Sequence, residues 1–176
     1  LRRGTVGALA WSPVGDRLAA VTLDGALALT ADGVPAVVRE PDAGDALLDL
    51  AWSPTGDAVA VVGDRRTLVR VPADGSGAPV VLGRHPGVAW SVTWDPRGEV
   101  IATGAADGAV RVWPVGGGPP EVLHGHGEVV HALAFAPRGD VIASAGADGR
   151  LILWPRPGAD LRERLRAATT ACLSPV

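Results

Sequence analysis

The feature that most restricts the fold of this sequence is a six-residue turn signature that occurs four times at almost equal spacing. It is an aromatic residue followed by x-Pro-x-Gly and an acidic residue, at positions 11–16, 52–57, 94–99 and 135–140, and its prolines are 41, 42 and 41 residues apart. A repeat of this length predicts one supersecondary unit per copy, because such small units bury their apolar faces only by stacking on neighbours. We therefore expect four similar units packed side by side.

Each unit is predicted to be a small antiparallel sheet. Short runs of Val, Leu and Ala alternate with clusters of Gly, Pro and Asp, and no segment of helical periodicity competes with them. In the third repeat the pattern predicts strands over 88–94, 100–104, 109–113 and 121–123, with a tight hairpin at Asp107-Gly108. The predicted fold class is all-β, a partial β-propeller of four four-stranded antiparallel blades.

The predicted blades cover about residues 1–38, 39–81, 82–122 and 123–157, and a partly helical C-terminal tail covers 158–176. The tail is predicted to be helical because Leu161, Leu165 and Ala168 recur at helical spacing. Four repeats, with a start in the first strand of a blade, favour the C-terminal part of a longer multidomain protein. Two copies could also pair their four blades into a ring of eight.

Composition argues against several functional classes. The formal net charge of −3 gives no basic surface for nucleic acid, and no apolar run is long enough to span a membrane. The single cysteine, Cys172, forms no internal disulfide, so we expect a reducing, cytoplasmic setting. Lys, Asn, Gln, Tyr and Met are absent, and because most of them have AT-rich codons, this indicates a GC-rich bacterial genome.

The last two repeats resemble the WD-repeat family of β-propellers. Leu-x-Gly-His, Val-x-x-Leu-x-Phe-x-Pro-x-Gly-Asp, Ala-Ser and Asp-Gly-x-x-x-x-Trp occur in that order, and the resemblance covers roughly residues 4–155. One departure is that Pro114 and Pro155 follow the closing tryptophans, where the family has Asp. The resemblance implies a propeller whose polar residues support its architecture.

It also implies a hydrogen-bonded tetrad that links a strand-three Trp, a strand-two Ser or Thr, a His before the first strand and a hairpin Asp. Two such sets are spaced by 41 residues: His85, Thr103, Asp107 and Trp113, and then His126, Ser144, Asp148 and Trp154. A linked set avoids the cost of about 1–3 kcal/mol for each buried polar group left unsatisfied. In the first two repeats only the hairpin residues Asp24 and Asp64 persist, so apolar packing alone is expected to hold those blades.

Two alternative interpretations of the histidines are weaker. Ser144, His126 and Asp148 could form a catalytic triad, but a set that recurs in neighbouring repeats favours scaffolding. His124, His126 and His131 could suggest a metal site, but His126 has a structural role and no cysteine lies close. The Gly116–Gly118 run lacks the Lys-Ser/Thr of a phosphate loop and is interpreted as a connector. We therefore predict no catalytic residue, no metal and no cofactor.

Candidate partner-binding residues lie four positions before each turn aromatic, at the start of the innermost strand. This position holds Gly7, Leu48, Trp90 and His131. Trp90 stands out because an indole exceeds what the repeat requires and aromatic residues dominate interface energetics. The alternative, that these side chains fill gaps between adjacent blades, stays open.

The resemblance therefore implies a non-enzymatic protein-interaction scaffold or sensor region of a larger signalling protein. Its partner would be another protein or an effector domain of the same longer chain, without nucleic acid or membrane. The alternative is a propeller enzyme or ligand-binding domain with a central-channel site, for which the sequence offers only scattered Asp and Arg. A third alternative is a rigid spacer between domains.

Overall fold

The computed structural model describes residues 4–31, 34–39 and 45–156 of the chain. Within these ranges every regular element is a β-strand, which confirms the predicted all-β class. The predicted helical tail over 158–176 lies outside the described residues.

The strands form four antiparallel sheets, each built from strands that are consecutive in the chain. Sheet 1 contains β1 (Val6–Trp11), β2 (Leu18–Thr22), β3 (Leu27–Ala31) and β4 (Val34–Arg39). Sheet 2 contains β5 (Leu47–Trp52), β6 (Ala58–Gly63), β7 (Thr67–Pro72) and β8 (Val80–Arg84). Sheet 3 contains β9 (Ala89–Trp94), β10 (Val100–Ala105), β11 (Ala109–Pro114) and β12 (Glu121–His124). Sheet 4 contains β13 (Val130–Phe135), β14 (Val141–Gly146) and β15 (Leu151–Pro155).

The four strands predicted for the third repeat are confirmed to within one residue at their ends. The prediction of four strands per sheet holds for sheets 1 to 3, whereas sheet 4 has three strands in the described part of the chain. Proline residues flank Arg156 on both sides, and because proline has no backbone N–H they disfavour further pairing at this point. The Arg156 side chain turns back to the preceding sheet instead.

The turn signature works through its glycine. Gly15, Gly56, Gly98 and Gly139 have φ angles of 74°, 69°, 77° and 70°, a region that residues with a Cβ rarely adopt. In the last three copies the glycine N–H donates to the carbonyl three residues earlier and closes the turn. The signature therefore connects the first and second strands of every sheet in the same way.

The sheets stack in chain order, and the contacts run between equivalent strands. The first strand of each sheet packs against the first strand of the next, so β1 contacts β5, β5 contacts β9 and β9 contacts β13. The second strand of each sheet also packs on the next first strand. We call the side of a sheet that packs on the following sheet its front face, and the opposite side its rear face.

Three apolar clusters fill the spaces between front and rear faces. The first joins Leu27 and Leu29 of sheet 1 to Leu50 and Trp52 of sheet 2. The second joins Leu68 of sheet 2 to Val92 and Trp94 of sheet 3, and the third joins Val112 of sheet 3 to Leu133 and Phe135 of sheet 4. The core is therefore divided into layers, because each thin sheet buries its two faces against two different neighbours.

Candidate functional site

The four residues predicted for the last repeat form a continuous chain of hydrogen bonds in sheet 4. Trp154 Nε1 donates to Ser144 Oγ over 2.7 Å, and the Ser144 hydroxyl lies 2.7 Å from His126 Nε2. On the other side of the ring, His126 Nδ1 lies 2.9 Å and 3.1 Å from the two carboxylate oxygens of Asp148. Because a carboxylate only accepts, Nδ1 donates to Asp148, and Nε2 is then available to accept from Ser144. The hydrogen bond from His126 lowers the pKa of Asp148 to about 2.

The equivalent residues of sheet 3 repeat the first half of this chain. Trp113 Nε1 donates to Thr103 Oγ1 over 2.7 Å, and the Thr103 hydroxyl lies 2.7 Å from His85 Nε2. The other ring nitrogen, His85 Nδ1, lies 3.2 Å from the backbone carbonyl of Arg66, which belongs to the β6–β7 hairpin of sheet 2. Because that carbonyl only accepts, Nδ1 carries a proton and donates it to the carbonyl.

The expected hydrogen bond between His85 and Asp107 is absent, which corrects the predicted tetrad of sheet 3. Arg111 on β11 binds Asp107 through two N–H groups, over 2.5 Å and 3.1 Å. A bidentate guanidinium–carboxylate pair is charge-assisted and is stronger than a bond to a neutral imidazole. In sheet 4 the position equivalent to Arg111 is Ile152, which offers no donor, so Asp148 remains available to His126.

Burial determines the protonation behaviour of His85. Its pKa is lowered to about 4, first by desolvation of the buried ring and further by the nearby Arg111 cation. Burial opposes ionisation of Asp107 as well and is the largest single influence on it, but the hydrogen bonds that Asp107 accepts from Arg111 and from the Ala109 N–H, together with the nearby Arg111 charge, lower its pKa overall. Sheet 3 therefore holds a neutral histidine beside a closed ion pair.

Both tetrad indoles also depend on glycines of the segment before the sheet. A Cβ on Gly83, in the outer strand of sheet 2, would overlap the ring of Trp113. A Cβ on Gly125 would overlap the ring of Trp154 in the same way. These contacts place each indole between its own sheet and the end of the preceding outer strand.

The first two repeats replace the tetrad with simpler contacts. Asp24 accepts a hydrogen bond from the Thr22 hydroxyl within the β2–β3 hairpin. Asp64 leaves its Oδ1 buried without a hydrogen-bond partner among the described residues. At the position of the closing Trp, sheet 1 has Thr30, whose hydroxyl accepts a hydrogen bond from the Leu18 N–H over 2.7 Å. Sheet 2 has the buried Val71 at this position.

Among the candidate partner-binding residues, the structure brings Trp90 and His131 together. They occupy equivalent positions on the adjacent first strands β9 and β13, and their ring centroids are 5.5 Å apart at an interplanar angle of 77°. Trp90 remains 39% exposed and His131 is also exposed. Leu48 is half-buried and Gly7 has no side chain to offer. The pair is thus an open aromatic surface that spans two sheets.

The buried Asp95 and the half-buried Asp49 were not singled out by sequence reasoning. Asp95, at the signature position that holds Ser in the first two repeats, is fully buried and lies 3.3 Å from Arg156. Arg156 also contacts Glu99 at 2.6 Å and so ties the end of sheet 4 to the turn of sheet 3. Asp49 Oδ2 accepts from the Val92 N–H over 2.8 Å, which joins the first strands of sheets 2 and 3. Two features of the sequence could have indicated these contacts: Asp95 stands where earlier repeats have Ser, and Asp49 lies inside an otherwise apolar strand.

Three other features of the described residues concern a metal site, a ligand cleft and a membrane span. No group of three or more His, Cys, Asp or Glu residues that could hold a metal ion occurs among the described residues. A shallow cleft of about 250 Å³ lies on sheet 2, with the ion pair between Asp45 and Arg65 in its lining. No helix in the described ranges has the length and apolar character needed to cross a bilayer.

The fold and these repeated networks define an all-β repeat protein whose polar groups connect successive sheets. Comparison with protein families agrees, because the family described as WD domain, G-beta repeat matches residues 80–114 and 117–155. Each matched segment begins at the outer strand of one sheet and continues through the three strands of the next. No curated protein matches the chain. The segments 80–114 and 117–155 of the chain are thus similar to WD repeats.

Proposed function

We propose that the four sheets are blades of an open β-propeller sector, and that this sector is a non-enzymatic scaffold that binds a protein partner. The order of the sheets and the consecutive packing of their first strands support radial blades. WD repeats generally mediate protein–protein interaction, which supports the scaffold role. The partner is a separate protein or an effector domain of a longer signalling chain in the cytoplasm.

The observation that carries this proposal is the exposed pair of Trp90 and His131. An exposed indole held edge-on by a second ring is preorganised, so little side-chain entropy is lost when a partner covers it. Aromatic anchors of this kind contribute a large share of interface energy. The pair sits on the rigid first strands of two sheets rather than on a loop, which fixes its geometry for recognition.

The tetrad geometry supports a structural rather than a catalytic role for His126. Ser144 donates to His126 as a triad serine would, but its Oγ also accepts from Trp154 and the residue is buried. A nucleophile needs an approach path and an oxyanion site about 3 Å away. Sheet 3 has the same arrangement with Thr103 in place of the serine and no hydrogen bond from the histidine to Asp107, as expected for a network that stabilises the strands.

The proposal is tested by comparing the proteins that the 176-residue chain captures with and without the Trp90 ring. We expect Trp90→Ala and His131→Ala each to weaken binding of the same partner by about 1–3 kcal/mol, because both rings belong to one contact surface. Val122→Ala, a truncation of an exposed residue on the outer strand β12, is the matched control and should leave binding unchanged. A set of partners that is identical for wild type and Trp90→Ala, at equal melting temperature, would contradict the docking surface.

A further inference from the structure

Arg66 has a backbone conformation that arginine rarely adopts. Its φ angle is 61°, and no other residue with a Cβ has a positive φ in the described part of the chain. The Arg66 N–H closes the β6–β7 hairpin by donating to the Gly63 carbonyl over 3.1 Å. In the other three sheets the equivalent hairpin is closed by a glycine, with φ angles of 95°, 76° and 74°: Gly25, Gly108 and Gly149. Sheet 2 therefore has an arginine at a position where glycine is the less strained residue.

Arg66 contacts the segment that leads into β9 through its side chain and through its carbonyl. Its Nη1 donates to the Pro86 carbonyl over 3.1 Å. Its own carbonyl accepts from the His85 N–H over 2.6 Å and lies 3.2 Å from His85 Nδ1. A glycine at position 66 would keep both contacts of the carbonyl, because they belong to the backbone. Only the exposed bond to Pro86 would be lost, and such a bond contributes little to stability.

The guanidinium of Arg66 lies within reach of a chain that covers Trp90. Pro86 and Trp90 are four residues apart in one segment, so their Cα atoms are at most roughly 14 Å apart. Arg66 and Pro86 are both exposed. Arginine has more N–H donors than the one bonded to Pro86, so others are available to an acceptor that approaches from solvent.

The charge of Arg66 is not neutralised by an acidic residue of the described chain. In the neighbouring hairpins the carboxylates already have donors, because Asp107 pairs with Arg111 and Asp148 is bonded to the tetrad histidine. Arg66 makes no ion pair with any described residue, and its side-chain bond is to a neutral carbonyl. A guanidinium with unused donors is complementary to a carboxylate, which it can bind through two parallel hydrogen bonds.

We infer that the docking surface extends from the Trp90–His131 pair to Arg66, and that its partner is a peptide segment with an acidic side chain about four residues from an aromatic or large apolar one. The apolar side chain covers the indole, and the carboxylate binds the guanidinium. This inference rests on the protein-binding role proposed above and specifies the chemistry of the partner. A strained arginine at a glycine position fits this role, because such backbone conformations are retained where function needs the side chain.

The test uses random peptides of about twelve residues, displayed on phage and selected on the 176-residue chain and its variants. We expect wild type to select peptides that combine an aromatic or large apolar residue with Asp or Glu, and Trp90→Ala to select none of them. Arg66→Gln keeps an N–H donor for Pro86 but not the charge, so its peptides should retain the apolar residue and lose the acid. Arg138→Gln removes the same charge from an exposed turn of sheet 4, and this matched control should select the wild-type sequences.

One selected peptide then separates the charge of Arg66 from its structural contacts. Arg66→Gln should weaken binding of this peptide roughly tenfold in fluorescence anisotropy, and high salt should reduce the difference. Replacing the acid of the peptide by its amide should make wild type and Arg66→Gln bind equally, as expected for a directly coupled pair. Arg66→Gly should match or exceed the wild-type melting temperature, because glycine adopts this φ without strain.

Each contrary outcome has a distinct meaning. Peptides that depend on Trp90 but carry no acid would overturn the role of Arg66 and leave the proposed protein-binding function intact. The same acid preference in Arg66→Gln would show that another group binds the carboxylate, and a clear fall in the melting temperature of Arg66→Gly would show that the fold itself requires the arginine. If no selected peptide depends on Trp90, the proposed function fails and this inference fails with it.

Discussion

Sheets 3 and 4 contain the same sequence motif, but their polar networks end differently. In sheet 4 the chain from Trp154 runs through Ser144 and His126 to Asp148, whereas in sheet 3 His85 turns to a backbone carbonyl of sheet 2. The cause is one neighbouring residue. Arg111 donates its hydrogen bonds to Asp107, whereas the equivalent Ile152 has no donor and leaves Asp148 free to accept from His126. The difference shows that a motif defines which groups are close, while the competition among nearby donors decides which pairs form.

The largest expected effect that separates the two networks is acid sensitivity at His85. Its folded-state pKa of about 4 lies below the unfolded value of 6.5. Between these pH values the unfolded chain binds a proton that the folded chain does not, so stability falls as the pH decreases through this window. The part of this shift that lies between pH 7.5 and pH 4.5 corresponds to at most about 2–3 kcal/mol of stability, which urea unfolding at these two pH values measures.

Matched histidine variants assign this effect. His85→Gln should remove its share of the pH dependence, while His124→Gln, at an exposed strand end, should keep the wild-type slope. An unchanged slope in His85→Gln would show that the buried ring of sheet 3 is not the sensitive group. Asp148 behaves differently, because its pKa is depressed to about 2 and its stabilising contribution is lost only as the pH falls from 3.8 toward that value.

Removal of the imidazole of sheet 4 is the next largest effect. His126→Ala leaves the buried Ser144 hydroxyl without its acceptor, and we expect a loss of about 1–3 kcal/mol in the free energy of unfolding. Binding through Trp90 and His131 should persist in the folded fraction, because the tetrad does not reach that surface. His124→Ala is the control and should retain the wild-type melting temperature. Loss of an activity at an unchanged melting temperature would instead favour a catalytic His126.

The smallest effect on stability, and the most direct test of the comparison, comes from exchanging the deciding residue. Arg111→Ile should release Asp107 to accept a hydrogen bond from His85, with a stability change within about 1 kcal/mol. The pKa of His85 should rise, because a cation is removed and a carboxylate approaches, and NMR titration of the ring measures this.

The reverse exchange completes this test. Ile152→Arg should place a guanidinium beside Asp148, which would then bind the introduced arginine instead of His126. The chemical shift of the Asp148 carboxylate in the same NMR titration measures this change of partner. If the pKa of His85 is the same in Arg111→Ile as in wild type, Arg111 is not the residue that separates the two networks.

Much of the architecture was predictable because its signals are local. The turn glycines require positive φ, the Asp-Gly hairpins define tight turns, and the repeat spacing aligns four units. The third repeat accordingly has its strands where the pattern predicts them. The spacing showed that two equivalent sets of His, hydroxyl and Trp recur, and the family resemblance implied their pairing, which the structure has in both sheets.

The remaining features depend on contacts between repeats, which no local pattern encodes. Examples are the ion pair of Asp95 with Arg156 and the hydrogen bond between the Asp49 carboxylate and β9. The pairing of Trp90 with His131 likewise requires two first strands to lie side by side.

The sequence by itself determined the repeat, its strands and turns, and the residues that meet within one unit, because those arise from backbone preferences and short-range register. Only the tertiary structure decided which of the two nearby donors, Arg111 or His85, binds Asp107, and which equivalent apolar residues are covered. Trp11 and Trp52 occupy the same position of the repeat, yet one is exposed and the other is buried. The physical reason is that burial depends on the neighbouring sheet, and the sheets at the two ends of the stack each lack one neighbour within the described chain.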